Sequence, residues 1–542
     1  MTNEPLFATA LGDRRFDGRL PDISPAGRSR IKAQYQDVIS RCNAIPDDSL
    51  TDTDRLTRTA LLVDALSTLD YYSCDLEDWV VDPLQGFQVE FMNLESYQPV
   101  RSFAEANAMV ERWRAMGPYV DQQIANLRGG VNDGRVAVAA AVEKVIEELQ
   151  DLMMKGDGEW SLLRPLGVRH DDWTGDQRRD FEDGLRAAVK ESARPGLTRY
   201  LEFLKSEIIV NARPQERPGI MHISRGPETY SKLIRVHTSL DLTPAQLHQT
   251  GLDEVARINR ETTELGAKVF GIEDRKEILQ KLRNDRSLYF SSRDEVAAKA
   301  ESALDKANEA ISKWFGRLPK TPCEVVRMEP HEEKHSTIAY YRPPAADGSR
   351  PGRYYINTSA PETRPRYEAE ALAYHEAVPG HHLQIAIAQE LEGVPEFRKN
   401  SGVTAFIEGW GLYSERLADD MGLYSSDLDR IGILSYDSWR ACRLVVDTGM
   451  HAMGWTREQA IDFMFQNSAL AMNNIVNEVD RYITWPGQAL AYKTGQLEMI
   501  RLRHEARARL GASFDIRRFH DALLGNGAIP LKALRQVIGE YA

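Results

Sequence analysis

The stretch Tyr374-His375-Glu376-Ala377-Val378-Pro379-Gly380-His381-His382 contains three of the 12 histidines of the chain and one glutamate. Histidine followed by glutamate, with a second histidine one or two helical turns later, is the pattern with which zinc hydrolases build a metal site. In such sites neutral imidazoles bind the metal, and the glutamate accepts a proton from the attacking water. The segment therefore predicts His375 as a metal ligand and Glu376 as a general base.

The second histidine departs from the common H-E-x-x-H spacing, because Pro379 stands four residues after His375. In a regular helix, His382 returns to within about 20° of the face of His375, whereas His381 points roughly 120° away. Pro379 and Gly380 nevertheless predict a bulge or kink that loops out extra residues. Such a loop would put His381 where the fourth residue normally lies, so both histidines stay candidates. A helix end with surface histidines is the structural alternative.

A further ligand is predicted about thirty residues downstream, in Phe406-Ile407-Glu408-Gly409-Trp410-Gly411-Leu412-Tyr413-Ser414-Glu415. Glu408 and Glu415 are seven residues apart, so they face the same side of a helix. The apolar neighbours of Glu408 leave little of this helix for water, and a carboxylate in such surroundings needs a partner. Two antiparallel helices joined by a turn would bring Glu408 beside His375.

The segments HEAVPGHHLQ and FIEGWGLYSE resemble those of the bacterial family called domain of unknown function 885, which is related to the gluzincin metallopeptidases. The second segment is similar, more distantly, to the helix of thimet oligopeptidase and neurolysin-type enzymes that supplies their glutamate ligand. The resemblance implies Zn²⁺ held by His375, His381 and Glu408. It also implies that Glu415 lies behind the ligands, with His382 as the alternative to His381.

Two segments further along carry candidate donors to a negatively charged reaction intermediate. In thimet-like enzymes a segment rich in tyrosine and glycine supplies such donors, and by that resemblance Tyr492 takes this role. His451, which follows a glycine, is a second candidate. A tyrosine that packs between helices and a buried core histidine are the structural alternatives.

Two runs rich in aromatic and β-branched residues, 338–344 and 352–358, flank a turn containing proline, glycine and aspartate. This pattern predicts a β-hairpin or two short strands. In gluzincin peptidases an edge strand beside the zinc helix pairs with the substrate backbone. The resemblance implies this role for the strand from Arg353 to Thr358, with Arg353, Tyr355 and Asn357 as substrate-binding residues. A purely structural strand is the alternative.

The rest of the chain is predicted to be helical. Apolar residues recur at three- and four-residue spacing, opposite a charged face, in the segments 56–69, 136–153, 177–189 and 293–315. We expect a mainly α, large helical zincin-like fold with a small β-sheet beside the zinc helix. A helical N-terminal region (1–320) would lie over a cleft, and a catalytic zinc-binding region (321–542) would complete one interlocked unit.

Composition argues against several classes of partner. The formal net charge is -13, and no basic stripe is present that would neutralise the phosphates of a nucleic acid. The sequence contains no run of eighteen apolar residues, so no membrane span is predicted. The N-terminus lacks the pattern of a signal peptide. The 4 cysteines are scattered without metal-like spacing, which favours reduced thiols. We therefore expect a cytoplasmic protein, with no oligomeric state predicted.

Together these patterns predict a zinc-dependent hydrolase that cleaves amide bonds in short peptides. Glu376 would be the general base, and Tyr492 or His451 would stabilise the oxyanion. The restriction to short peptides comes from the family resemblance, in which a helical cap over a cleft excludes folded proteins. One alternative is a zinc amidase that acts on a non-peptide metabolite. Another is a catalytically silent helical scaffold, which a glutamate at position 376 disfavours.

Overall fold

The computed structural model describes residues 2–333, 336–345, 350–400 and 402–541. Most of these residues are helical, which confirms the predicted mainly helical class. The four segments with helical spacing fall largely within the helices Asp52–Tyr72, Ala139–Met154, Gly175–Ala188 and Arg293–Ala310. The helices are α1 (Pro5–Ala10), α2 (Pro25–Ala44), α3 (Asp52–Tyr72), α4 (Phe87–Tyr97), α5 (Phe103–Asn132), α6 (Ala139–Met154), α7 (Gly175–Ala188), α8 (Arg194–Phe203), α9 (Gly226–Thr238), α10 (Pro244–Phe270), α11 (Arg275–Asn284), α12 (Arg293–Ala310), α13 (Pro330–Glu333), α14 (Ala369–Glu376), α15 (His381–Gln389), α16 (Glu396–Asn400), α17 (Thr404–Asp420), α18 (Asp427–Ala452), α19 (Arg457–Asn467), α20 (Met472–Thr484), α21 (Ala491–Leu510), α22 (Ile516–Leu524) and α23 (Leu531–Glu540).

The chain forms two compact units. The first comprises Met1–Asp37 and Tyr71–Thr229, and the second comprises Val38–Asp70 and Tyr230–Ala542. Every candidate site residue lies in the second unit. The functional boundary between residues 320 and 321 stays a prediction, because this division reflects packing alone.

The first unit is organised around α5, a helix of 30 residues. Its N-terminus is closed by a capping box: the Ser102 hydroxyl accepts a hydrogen bond from the Glu105 amide, and the Glu105 carboxylate accepts one from the Ser102 amide. The buried side chains of Trp113, Leu185 and Leu197 belong to one core shared by α5, α7 and α8. Apolar periodicity and capping therefore account for this unit.

In the second unit, α17 and α21 approach each other closely at two glycines. A Cβ atom on Gly495 would lie 1.8 Å from the carbonyl oxygen of Ala405, and one on Gly409 would lie 2.5 Å from the backbone of Gly495. Only glycine permits this approach of two helix backbones. Trp410 is completely buried in the same core. The position of α17, which carries Glu408, is thus fixed by packing.

The small β element is a three-stranded sheet with the order β1 (Cys323–Arg327), β3 (Gly352–Ile356), β2 (Ala339–Arg342). β2 and β3 pair antiparallel, which confirms two strands on either side of the predicted turn. β1 pairs parallel with the other side of β3. β3 is therefore the central strand, and the expectation that it is an edge strand open to the substrate backbone is wrong. Residues 346–349 of the turn lie outside the described residues.

The sheet lies against the helix that begins at His381. The hydroxyl of Tyr341 on β2 is 2.9 Å from Nδ1 of His382. A Cβ atom on Gly352, at the start of β3, would lie 2.4 Å from the same nitrogen. The absence of a side chain at Gly352 therefore lets the sheet contact α15.

Candidate metal centre

The helix that carries His375 is interrupted and restarts at His381. α14 ends at Glu376, residues 377–380 form a loop in which the Val378–Pro379 peptide bond is cis, and α15 follows. A Cβ atom on Gly380 would lie 1.9 Å from the carbonyl oxygen of His375, so the loop folds tightly against the end of α14. The bulge or kink predicted at Pro379 and Gly380 is therefore a complete break between two helices.

The loop and α17 together bring three candidate ligands into one cluster. The Nε2 atoms of His375 and His381 each lie 3.7 Å from the same Glu408 carboxylate oxygen. One ligand atom of each residue lies within 4.8 Å of those of the other two. Two ligands of a tetrahedral zinc ion, each bound at about 2.0–2.1 Å, are separated by roughly 3.4 Å. The donor set of two imidazoles and one carboxylate, at this separation, fits zinc.

Glu415 contacts the ring nitrogen of His375 that faces away from Glu408. Its carboxylate Oε1 lies 2.8 Å from Nδ1 of His375, and the residue is almost completely buried. A carboxylate on the far nitrogen of a metal-binding histidine fixes the tautomer and the orientation of the ring. Glu408 and Glu415 both contact His375, as their spacing of seven residues on one helix predicts.

Two residues of α17 shape the space around His375. A Cβ atom on Gly411 would lie 2.5 Å from Cε1 of His375, so this glycine leaves room for the imidazole. The indole N–H of Trp410 donates to the carbonyl oxygens of Pro379 and Gly380 at 2.9 and 3.1 Å. The loop between α14 and α15 is thereby tied to the helix that carries the carboxylates.

The electrostatics of the cluster favour a bound positive charge. Burial opposes the charged form of His375, but hydrogen bonding to Glu408 and Glu415 outweighs it and raises the pKa of His375 to about 9. Burial also opposes the charge on Glu408, but the two imidazoles outweigh it and lower its pKa to about 2. The carboxylates of Glu408 and Glu415 therefore favour positive charge at His375, and a divalent cation bound there would compete with a proton.

His382 has different surroundings from its neighbour. Its Nδ1 pairs with the Tyr341 hydroxyl at 2.9 Å, and its Nε2 lies 3.1 Å from the carbonyl oxygen of Thr321. Burial lowers the pKa of His382 to about 4. Both ring nitrogens are thus engaged with the sheet and its flank, and the structure brings His381, not His382, into the cluster.

Glu376 follows the first histidine and is partly buried. Burial first, and the charge of Glu376 second, hold the pKa of the Tyr354 hydroxyl well above its ordinary value. Tyr354 therefore lies close enough to Glu376 to be affected by its charge. The sequence interpretation missed this tyrosine, which lies on the buried face of β3.

Tyr492 lies near the metal cluster. Its pKa is raised by burial and, next, by the charge of Glu408. The guanidinium carbon of Arg443 lies 4.4 Å from the centre of its ring. Sequence reasoning missed Arg443, although an arginine within a largely apolar run of α18 is a usable signal.

His451 is completely buried in α18. Its Nε2 lies 2.9 Å from the carbonyl oxygen of Tyr482, and its ring packs at 5.3 Å from that of Tyr230. These contacts are those of a core histidine. Its role as an oxyanion donor stays a prediction.

Two of the predicted substrate-binding residues, Arg353 and Tyr355, lie on β3. Arg353 and Tyr355 alternate with the buried residues of the strand, so they point to the opposite face of the sheet from Tyr354. Tyr355 stacks on Tyr340 with ring centres 4.9 Å apart, and Nη1 of Arg353 lies 3.4 Å from the Tyr355 hydroxyl. The two side chains thus contact each other and the neighbouring strand.

Asn357 follows β3 and is buried. Its amide nitrogen donates to the carbonyl oxygens of Glu333 and Thr337 at 2.7 and 3.2 Å. Its amide oxygen accepts hydrogen bonds from the backbone and hydroxyl of Ser359. These bonds hold together the chain around the sheet, and substrate binding by Arg353, Tyr355 and Asn357 stays a prediction.

Comparison with known proteins places the chain in a family. The sequence matches the family model described as "Bacterial protein of unknown function (DUF885)" over residues 5–538. The chain belongs to this family. The match covers almost the whole of this DUF885 protein and confirms the family that the two motifs indicate. A search of curated protein sequences finds no significant match.

Two solved structures share the fold of this DUF885 protein. One is described as "the putative lipoprotein from Colwellia psychrerythraea"; it is 27% identical with a TM-score of 0.90, over 99% of this chain and 96% of that chain. The other, "a putative lipoprotein of unknown function from Shewanella oneidensis", is 19% identical with a TM-score of 0.76, over 99% and 97% of the two chains. Among the helices that the structure describes here, none is long and apolar enough to span a membrane.

Proposed function

We propose that this DUF885 protein is a zinc-dependent hydrolase of gluzincin type that cleaves amide bonds in short peptides. One observation supports this function most strongly. His375, His381 and Glu408 offer two nitrogens and one carboxylate oxygen to a single point, and Glu376 adjoins the first of them in sequence. Three protein ligands leave a coordination position open, as catalytic zinc sites require.

The residues of the cluster would hold the metal in a defined way. His375 and His381 would bind through Nε2, the atoms that face Glu408, and Glu408 would bind through its carboxylate. Glu415 would keep the His375 ring in place through Nδ1. Zinc, when bound, would supply Lewis acidity that polarises a substrate carbonyl and makes water easier to deprotonate.

The other residues would move the proton and stabilise charge. Glu376 would accept a proton from the attacking water and deliver it to the leaving amine. The Tyr492 hydroxyl would donate a hydrogen bond to the carbonyl oxygen as negative charge develops on it. Arg443, stacked on the Tyr492 ring, would hold that ring in position.

A peptide-library screen with the zinc-loaded protein tests the activity. We expect cleavage of short peptides, and a loss of at least about a hundredfold in turnover for Glu376→Gln, with zinc content unchanged. Glu392→Gln, at an exposed glutamate in the turn after α15, is the matched control and should keep full activity.

The outcomes of this screen separate the alternatives. Cleavage of non-peptide amides without any peptide cleavage would favour the zinc amidase. Stable zinc binding with no hydrolysis of either class would favour the scaffold and overturn the proposal. Activity of Glu376→Gln close to that of the wild type would mean that another group deprotonates the water.

A cytoplasmic location stays a prediction. The descriptions of both solved structures name lipoproteins, so a lipid-anchored position is the second candidate. Fractionation of the native cells, with detection of the chain in the soluble and membrane fractions, distinguishes the two. Recovery in the membrane fraction would overturn the cytoplasmic prediction.

A further inference from the structure

A cavity of about 480 Å³ lies in the second unit beside α14 and α18. Its lining includes Tyr354 of β3, Leu372 of α14 and Tyr436 of α18. This volume is in the range of small-molecule sites. The metal ligands do not line it, so it is a separate space with its own chemistry.

Arginine side chains line much of the cavity, although the formal net charge of the protein is -13. Arg283, Arg286 and Arg364 line it together with one carboxylate, that of Glu368. Among the described residues, these three arginines form no ion pair with a carboxylate, and their hydrogen bonds go to backbone carbonyl oxygens. Glu368 accepts a hydrogen bond from the Ser435 hydroxyl.

Arg364 and Tyr436 line this cavity, and each has hydrogen-bond donors without a partner in the described part of the chain. Arg364 uses its Nε for the carbonyl oxygen of Ser359 at 3.4 Å, and within the described chain its two terminal nitrogens have no hydrogen-bond partner. The Tyr436 hydroxyl is buried and also lacks a partner among the described residues. A buried hydroxyl without a partner carries a desolvation cost that a bound acceptor would remove.

Arg440 adds a further positive charge, next to the Tyr436 ring. Its guanidinium carbon lies 4.5 Å from the centre of the Tyr436 ring and 4.1 Å from that of Trp439. Two of its nitrogens are buried without a hydrogen-bond partner in the described part of the chain. The charge of Arg440 also acts on Glu368, so it offsets the one carboxylate that would repel an anionic ligand.

The helix that carries the predicted general base, Glu376, also lines the cavity, through Ala369 and Leu372. Glu368 directly precedes α14, and Leu372 and Glu376 follow it at intervals of four residues. The three residues therefore lie on one side of the helix. Tyr354 lines the cavity, and after burial the charge of Glu376 is the next cause of the raised pKa of the Tyr354 hydroxyl. A substrate whose scissile amide lies near Glu376 could therefore place an adjacent group in the cavity.

We propose that this cavity is a subsite for a carboxylate of the peptide substrate, bound by the Arg364 guanidinium and the Tyr436 hydroxyl. The assignment rests on the proposed peptide hydrolysis. An acidic side chain and a free C-terminus present the same group, and a guanidinium with two free nitrogens matches it. Neutral residues would leave both donors unpaired, so the subsite selects against them.

Binding of small probes tests the subsite without hydrolysis. N-acetylglutamate amide and N-acetylglutamine amide differ only in the side chain, and N-acetylalanine and N-acetylalanine amide differ only at the C-terminus. By titration calorimetry on the zinc-loaded protein, we expect the acidic member of one pair to bind at least about tenfold more tightly. The pair that shows this preference identifies the source of the carboxylate.

Substitutions then assign the preference to the cavity. Arg364→Gln should reduce it to about twofold or less, and Tyr436→Phe should reduce it in part while keeping the ring. Arg366→Gln, two residues away, exposed and outside the cavity, is the matched control and should keep the preference. An equal affinity for both members of each pair, or an undiminished preference in a folded Arg364→Gln protein, would overturn the proposal.

Failure of the subsite differs from failure of the proposed function. Carboxylate binding that depends on Arg364, with no peptide cleaved, would leave the subsite standing and reject the hydrolase. Cleavage of peptides at the same rate with or without an acidic side chain or a free C-terminus would support the hydrolase and reject the subsite.

Discussion

At the scale of single residues, the adjacent histidines His381 and His382 show how neighbours in sequence differ in chemistry. His381 faces Glu408, whereas His382 has a partner on each ring nitrogen. A regular helix would bring His382 back to the face of His375, whereas the break between Glu376 and His381 brings His381 there instead. The structure therefore brings His381, not His382, into the cluster with His375 and Glu408.

Zinc content of two single variants tests this assignment. His381→Ala should lose most of its zinc, because one of three protein ligands is removed. His382→Ala should keep most of its zinc and lose some stability, because the Tyr341 hydroxyl and the Thr321 carbonyl lose their partner. Elemental analysis of both proteins after the same loading decides the matter, and the reverse pattern would make His382 the ligand.

Tyr492 is the residue for which kinetics are most informative. Its hydroxyl would donate only as charge develops, so Tyr492→Phe should lower kcat by roughly ten- to a thousandfold with little change in KM. Tyr541→Phe, whose hydroxyl donates to the Asp515 carbonyl oxygen, is the control and should leave kcat unchanged. An unaltered kcat for Tyr492→Phe would reduce Tyr492 to a packing residue.

Part of the site was readable from the sequence and part was not. His375, Glu408 and Glu415 follow local spacing rules, so their meeting was predicted and is seen. Tyr354 and Arg443 reach the site from other elements by tertiary contacts. Local spacing does not reveal such contacts; for Arg443 the usable sequence signal is an arginine within a largely apolar run.

At the scale of elements, the break between α14 and α15 and the glycines of α17 make the cluster fit. Gly411 leaves room for the His375 ring, and Gly409 lets α17 approach α21. A helical glycine ordinarily weakens a helix relative to alanine, by about 1 kcal/mol. At these two positions, close packing explains the glycine.

Gly411→Ala tests the role of this space. The added methyl group would lie 2.5 Å from the His375 ring, so the ring must move, and we expect zinc affinity to fall at least about tenfold. Gly539→Ala in α23, where a Cβ atom meets nothing within 4 Å, is the matched control and should bind zinc normally. Isothermal titration with zinc and circular dichroism measure both properties. Normal zinc affinity in a folded Gly411→Ala protein would contradict this role.

The helices were predicted better than the sheet. Apolar periodicity is local, and it located α6 and α7 to within a few residues. The antiparallel pair of β2 and β3 was also predictable from its turn. The parallel partner β1 has no turn that links it to β3, because parallel strands need a longer connection. The central position of β3 could therefore not be predicted.

At the scale of the whole molecule, stability should depend on Asp447 of the second unit. Asp447 is completely buried, accepts a hydrogen bond from the Tyr230 hydroxyl at 2.5 Å and accepts another from the Gly487 amide. Burial raises the pKa of Asp447 from 3.8 to about 7. The folded state thus binds this proton more tightly than the unfolded state does.

Because the folded pKa lies above the unfolded value, this contribution is fully present below about pH 4 and is lost as the pH rises through 7. The loss is on the order of 4 kcal/mol in the free energy of unfolding. Asp447→Asn cannot ionise, so it should lack this part of the pH dependence. Urea unfolding of both proteins at pH 5 and pH 7.5 measures the difference, and parallel profiles would contradict the prediction.

The central claim is that His375, His381 and Glu408 bind one zinc ion. Elemental analysis of the purified wild-type chain and of His375→Ala, loaded with zinc and dialysed together, tests it most directly. We predict close to one zinc per wild-type chain and almost none in the variant, since His375 is both a ligand and the partner of Glu415. A wild-type chain without zinc, or full zinc content in a folded His375→Ala protein, would contradict the claim.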